Sequence, residues 1–273
     1  MKSFLRYHIK DRIALAAEKR LLLKHMDRVP VLVLTMAKVG SSSVYYSIKQ
    51  SSKIPVFHIH GLNEEEELEG IDTCLKSGVY PGRRSPVFLI NEEIIAKENP
   101  FRVISLFRNP IERNISAFFD VFELRVGVAP EKYQGTMEEL EALYHKHMQH
   151  SYVLEWFDKH FYDGTGVDIY ATPFDVEAQF KKYRSNGMDI LIMDSAIEDN
   201  VKERLISEFC EIEDFKLINK NITGQRKSSS LYADFKRQVR FSEQYLSRLL
   251  DSKYAVHFFS VKERERLFNR WSK

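Results

Sequence analysis

Cysteine is scarce in this 273-residue chain: the only two, Cys74 and Cys210, lie far apart and in no metal-type or redox spacing. That argues against a disulfide framework and a cysteine-ligated zinc site, and it suits a reducing compartment, the cytoplasm. Long apolar runs are missing too. No stretch approaches the roughly 20 residues a membrane span needs, and no small-residue cleavage site follows a signal-like core. Nor is one charge sign in excess, with 41 Lys plus Arg against 39 Asp plus Glu. A global field of the kind a nucleic-acid binder carries is therefore absent, and any preference for an anion must be local. No internal repeat, low-complexity tract or linker divides the chain, so one α/β domain over 1–273 is expected.

What is present begins with a basic amphipathic helix over residues 4–25, within an N-terminal segment 1–28 expected to pack on or near the domain. The alternative is a peripheral contact with a membrane surface. Residues 31–35 are apolar on both faces, as in a buried parallel strand. The turn Met36-Ala37-Lys38-Val39-Gly40 follows, and then Ser41, Ser42 and Ser43 lead into a helix over 43–51. This is the layout of an anion cradle. N–H groups at a helix start are unpaired within the helix and carry partial positive charge, serine hydroxyls add donors, and Gly40 permits close backbone approach.

Further strands are expected at 55–59, 87–90, 102–107, 168–171, 189–193 and 216–218. His58 and His60 alternate on one strand and so point the same way. Strand 102–107 ends at Arg108, where Asn109 can cap a new helix and Pro110 suits its first position. Ligands of open α/β sheets collect at that carboxyl edge. The aromatic face at 117–122 is expected to be core. Helices are expected at 64–75, 92–98, 137–150, 152–161, 201–209, 231–239, 242–250 and 261–271. His145, His147, His150 and His160 invite a metal reading, but the first three do not share a helical face and nothing completes a site. A phosphate-binding kinase loop places Lys after the second glycine and before Ser or Thr; here Lys38 precedes Gly40.

Taken together, Lys38-Val39-Gly40-Ser41-Ser42-Ser43 and Arg108-Asn109-Pro110 with Ser116 resemble the two donor motifs of the PAPS-dependent sulfotransferase superfamily. The string RNPIERNISAFF is similar to its carbohydrate branch. Tyr254 to Ser260, with LYADFK before it, resembles bacterial capsular polysaccharide synthesis proteins, whereas residues 120–215 match nothing assignable and are where acceptor selectivity is expected.

The resemblance implies a P-loop-like three-layer α/β fold with a central, mostly parallel sheet flanked by helices. It implies a sulfotransferase that moves a sulfuryl group from PAPS to a hydroxyl acceptor, a saccharide in the first place, releasing PAP and requiring no metal. Lys38 would neutralise the leaving oxygen, Val39, Gly40, Ser41, Ser42 and Ser43 would hold the 5′-phosphosulfate, and Arg108 and Ser116 would grip the 3′-phosphate. Arg226 and Lys227, in a later basic loop, would close over the nucleotide. A general base is needed as well. His60 is preferred over His58, from a position similar to the catalytic histidine region of uronyl 2-O-sulfotransferases, and Glu92 or Glu93 is the carboxylate alternative. Two other functions compete: a catalytically silent nucleotide-binding protein of polysaccharide assembly, and a P-loop-like kinase or NTPase.

Overall fold

Five strands, β1 (Val31–Leu34), β2 (Val56–Ile59), β3 (Arg102–Phe107), β4 (Phe180–Ser185) and β5 (Met188–Asp194), form one sheet in the order β2-β1-β3-β5-β4. In this computed structural model, which describes residues 6–25, 27–78, 85–185, 187–218 and 229–273, the first four of that order run parallel and β4 is antiparallel at the edge. All four residues of β1 are fully buried, as the unbroken apolar run requires when helices cover both faces. Neighbouring strands pair with β1 on either side. The chain leaves β1 for β2 in one direction and then crosses back to β3, so the reversal falls between β1 and β3.

The longer helices are α1 (Asp11–Lys24), α2 (Ser41–Ser51), α3 (Glu64–Lys76), α4 (Pro110–Asp120), α5 (Met137–His147), α6 (Asp199–Cys210), α7 (Ser229–Gln238), α8 (Glu243–Leu250) and α9 (Val261–Trp271). The opening helix packs on the sheet's helical cover. Glu18 accepts from Tyr45 Oη at 3.2 Å and from Lys49 Nζ at 3.1 Å on α2, while Lys19 pairs with Glu93 at 2.7 Å. Among the described residues no helix is long and apolar enough to cross a membrane. Both cysteines are free thiols, Cys210 buried.

Apolar residues form two cores. One surrounds the sheet. The other joins Phe118, Phe119 and Phe122 at and just beyond the end of α4 to Tyr144, Phe235 and Trp271 from later helices and to Phe241 between two of them, so the aromatic face is core, as its spacing suggests.

Several local expectations are corrected. Residues Val87–Ile90 form a helix, not a strand, and a π-helical turn, Asn91–Ile95, extends it; a run of four apolar residues has no period long enough to separate the two. Residues Ile169–Ala171 form a 3₁₀ turn because the Asp168 carboxylate accepts from Tyr170 N–H at 2.9 Å, a local bond that competes with a ladder. Residues 216–218 are not a strand either. There Leu217 N–H donates to Glu203 at 2.9 Å and Ile218 N–H to Ser47 Oγ at 2.8 Å, side-chain partners in place of a neighbouring strand. Edge strand β4 was unforeseen, since its sequence FKKYRS is mostly polar and it gains its partners only from β5. The helix expected at 152–161 is interrupted by a π turn at Phe157–Phe161.

Candidate functional site

The turn after β1 is held from outside by three side chains. His60 Nδ1 donates to the Thr35 carbonyl at 2.6 Å, Arg113 Nε to that of Ala37 at 3.0 Å, and Arg108 Nη1 to that of Lys38 at 3.1 Å. Gly40 then reaches φ +81°, a left-handed conformation in which a side chain would be strained, and caps α2 with no side-chain hydrogen bond. The start of α2 is thus electropositive, and its N-cap residue offers no side chain to offset that. Lys38 itself sits at φ +71°, a strain of about 1–3 kcal/mol for a residue with a Cβ. The Arg108 bond to its carbonyl and an ion pair of its Nζ with Asp120 hold it there. Ser41, buried, bonds His58 Nε2 through its hydroxyl at 2.8 Å, while Ser42 and Ser43 are half-buried.

His58 and His60 do share a side of the sheet, their rings 5.0 Å apart edge to face. His58 is engaged with the cradle serine. His60 turns Nδ1 to a carbonyl, which can only accept, so that nitrogen carries the proton and Nε2 keeps its lone pair. The residue remains open to water through a cavity of about 390 Å³ that it lines with Gly61, Glu66, Glu67, Tyr152 and His160. Crowding of its ring by protein lowers its pKa below the usual 6.5, the Thr35 bond opposing this and the Arg113 and Lys38 cations adding to it. The imidazole is therefore neutral at pH 7, in the form of a base. Behind the cavity, Arg113 is 4% exposed and lies 4.5 Å over the Tyr152 ring.

Arg108 follows β3, and both its main-chain polar groups are clamped by one buried hydroxyl. Tyr254 Oη accepts from Arg108 N–H at 3.1 Å and donates to Arg108 C=O at 2.7 Å. Asn109 caps α4, accepting from Ile111 and Glu112 N–H, with Pro110 at the first position. The guanidinium crosses the reversal between β1 and β3 to reach the turn, and a second bond runs to Glu112 at 3.3 Å. Glu112 also meets Lys236 at 3.2 Å and Arg270 at 3.6 Å. Lys236 and Arg108 hold its carboxyl below the usual range against the opposing effect of burial. Beside them lies a second cavity of about 390 Å³, lined by Val39, Gly40, Arg108, Glu112, Asp194 and Arg270 among others.

The structure thus brings Lys38, Val39, Gly40, Ser41, His58, His60 and Arg108 together at one sheet edge. Ser116 is half-buried further along α4 and lines neither cavity. Glu92 and Glu93 line neither cavity and are paired with Lys19 of α1 at 3.2 and 2.7 Å. Arg226 and Lys227 lie outside the described residues. Of the clustered histidines, His145 and His150 pack beside the second core against Tyr144 and Tyr245, whereas His160 lines the cavity in front of His60. Among the described residues no group of three or more His, Cys, Asp or Glu is arranged to hold a metal. Sequence reasoning missed Arg113 and Tyr254. The first was visible only as a second arginine five residues after Arg108; the second stands inside the C-terminal stretch that carried the capsular resemblance, but with no sign of its partner.

No curated protein and no solved structure matches the chain. One family model does, and it covers most of the middle segment for which the residues alone suggested no relative, stopping short of both the cradle and the Arg108–Ser116 segment. From residue 130 to residue 260, a stretch that includes β4, β5 and the Tyr254 clamp, the chain is similar to the family described as putative capsular polysaccharide synthesis protein.

Proposed function

We propose that this protein is a PAPS-dependent sulfotransferase of the P-loop-like three-layer class, transferring a sulfuryl group to a hydroxyl of a saccharide. The observation that carries the reading is the junction across the β1–β3 reversal: the start of α2, whose N-cap residue Gly40 has no side chain to cap it, lies next to Arg108, whose Nη1 donates to the Lys38 carbonyl at 3.1 Å. Such an edge suits a donor with anionic groups at both ends. The similarity to a capsular polysaccharide family supports a saccharide acceptor. Two free thiols suit a reducing compartment such as the cytoplasm.

In the reaction the acceptor oxygen forms a bond to sulfur as the bond between sulfur and the bridging phosphate oxygen breaks. The acceptor proton passes to His60 Nε2, and PAP leaves with the electron pair. Lys38, released from Asp120, neutralises the departing oxygen, and the start of α2 stabilises the charge on the 5′-phosphate. Sulfuryl oxygens carry less charge than those of a transferred phosphoryl, so lysine and helix start suffice in this reading without a metal. Arg108 serves the 3′-phosphate with a forked donor set, and Arg226 and Lys227 are the proposed nucleotide neighbours in the later loop.

A second reading has one observation in its favour. Lys38 Nζ is paired with Asp120, as suits a silent nucleotide binder in which the lysine never reaches a donor. Labelled PAPS with a glycan panel separates the two: sulfate transfer supports the enzyme, whereas tight PAP binding with no transfer to any acceptor selects the binder. Magnesium-dependent ATP hydrolysis would point to a kinase-like protein instead. Calorimetry of Arg108→Ala should show PAP binding weakened about 10-fold or more, in line with loss of a charge-assisted bidentate contact, and adenosine 5′-phosphosulfate binding nearly unchanged. Equal losses for both ligands remove Arg108 from the 3′-phosphate.

A further inference from the structure

The cavity in front of His60 has a charge of its own. Glu66 and Glu67, on adjacent positions of α3, both line it. Glu66 accepts from His160 Nδ1 at 2.9 Å. Glu67 is half-buried, with the Ser85 hydroxyl as its hydrogen-bond partner, and burial raises its pKa with no cation among the described residues pulling it back down. That is the condition of a carboxylate whose desolvation is only partly compensated, by the Ser85 hydroxyl. A positive group entering the cavity would offset that cost, and a second carboxylate would deepen it.

The nearest buried cation gives an anionic acceptor little. Arg113 stands behind the Tyr152 ring, with Nε spent on the Ala37 carbonyl at 3.0 Å and Nη1 on Asn114 at 3.1 Å. Tyr152 presents the cavity with an aromatic wall, a surface that suits the apolar face of a sugar ring.

We propose that this cavity selects a saccharide bearing a protonated amine, accepts a neutral one less well and turns uronates away, with Glu66 and Glu67 as the selecting residues. The assignment rests on the sulfotransferase reading only in calling the cavity an acceptor site. It runs opposite to the uronyl acceptors that the position of His60 alone suggests.

The test is titration calorimetry on the full-length protein with three tetrasaccharide probes, of glucosamine, glucose and glucuronate, and in parallel a transfer assay with labelled PAPS on the same probes. Wild type should bind the glucosamine probe about 10-fold or more tighter than the glucuronate probe, the discrimination expected of a charge-assisted contact. Glu66→Gln/Glu67→Gln should bring the two within about 2-fold while leaving PAP affinity unchanged, since the start of α2 and Arg108 lie outside this cavity. Preference for glucuronate, an unchanged ratio in the double variant, or binding of none of the probes overturns the proposal. Binding in the expected order without sulfate transfer to any probe overturns the enzymatic reading and leaves the charge selection standing.

Discussion

Lys38 is held in a left-handed conformation at φ +71° with its ammonium on Asp120, so the residue most exposed to the donor in the proposed mechanism is also a strained one. Strain of this kind persists only where surrounding contacts over-determine it, here the Arg108 bond to its carbonyl. Lys38→Ala should reduce sulfate transfer by about 10²–10³, as for loss of one charge-stabilising group, and leave PAP affinity within a few-fold. Loss of PAP binding to the same extent as transfer would make Lys38 a binding residue. His60 makes a prediction about pH. Its pKa is lowered, so Nε2 stays unprotonated at neutral pH, and kcat should be level through neutral pH and fall only as acid protonates the ring. His60→Asn should be slower by about 10²–10⁴ and lose that acid limb. An acid limb that persists in the variant assigns the base to another group.

Among the elements, β3 and the helix Lys253–Phe258 meet at a single hydroxyl, since Tyr254 Oη takes both the N–H and the C=O of Arg108. Tyr254→Phe leaves two main-chain groups unpaired in a buried place and should cost about 1–3 kcal/mol, read as a lower midpoint in urea. Through Arg108 it should also weaken PAP binding more than adenosine 5′-phosphosulfate binding. A stability loss with no change in PAP affinity would confine Tyr254 to a structural role. This contact joins residues 108 and 254, so no local pattern could announce it. The elements that were legible carry their signals locally: the doubly buried run of β1, and the Asn109-Pro110 start of α4. Short segments were misread where a side chain outside the segment decided the outcome, as Glu203 and Ser47 did for residues 217 and 218.

Over the whole molecule, burial of histidines ties stability to pH. His150 and His257 are each pushed down to about 4 by burial, and both leave Nε2 buried without a hydrogen-bond partner. A histidine with a depressed folded pKa stays neutral while the unfolded chain, at 6.5, takes up a proton. Its contribution is therefore complete above pH 6.5 and lost as pH falls toward 4. Asp194, pushed up to about 6 by burial, acts in the opposite sense, favouring the folded state in acid and losing that effect as pH rises from 3.8 to about 6. The two histidines together outweigh it, and the melting temperature should drop between pH 7 and pH 5. His257 packs edge to face on Tyr170 and Phe258, at centroid distances of 4.9 and 4.8 Å, so phenylalanine fits the setting. His257→Phe should shrink that drop, as measured by calorimetric scans at both pH values; an equal drop assigns the titration elsewhere.

By itself the sequence determined an apolar balance without a charge excess, a mostly parallel α/β core and the lysine-glycine-serine turn at the end of its first strand, because burial period, caps and turn chemistry act within a few residues. It also carried two histidines on one side of a strand. Tertiary structure decided the rest: that Arg108 and Arg113 seize the carbonyls of that turn, that His60 shows its lone pair to a cavity, that Ser116 stands apart from both cavities, and that two glutamates line the space in front of the base. Each of these depends on strand order. Placing β1 between β2 and β3 sets three carboxyl ends side by side, and only that adjacency turns separate sequence motifs into one site.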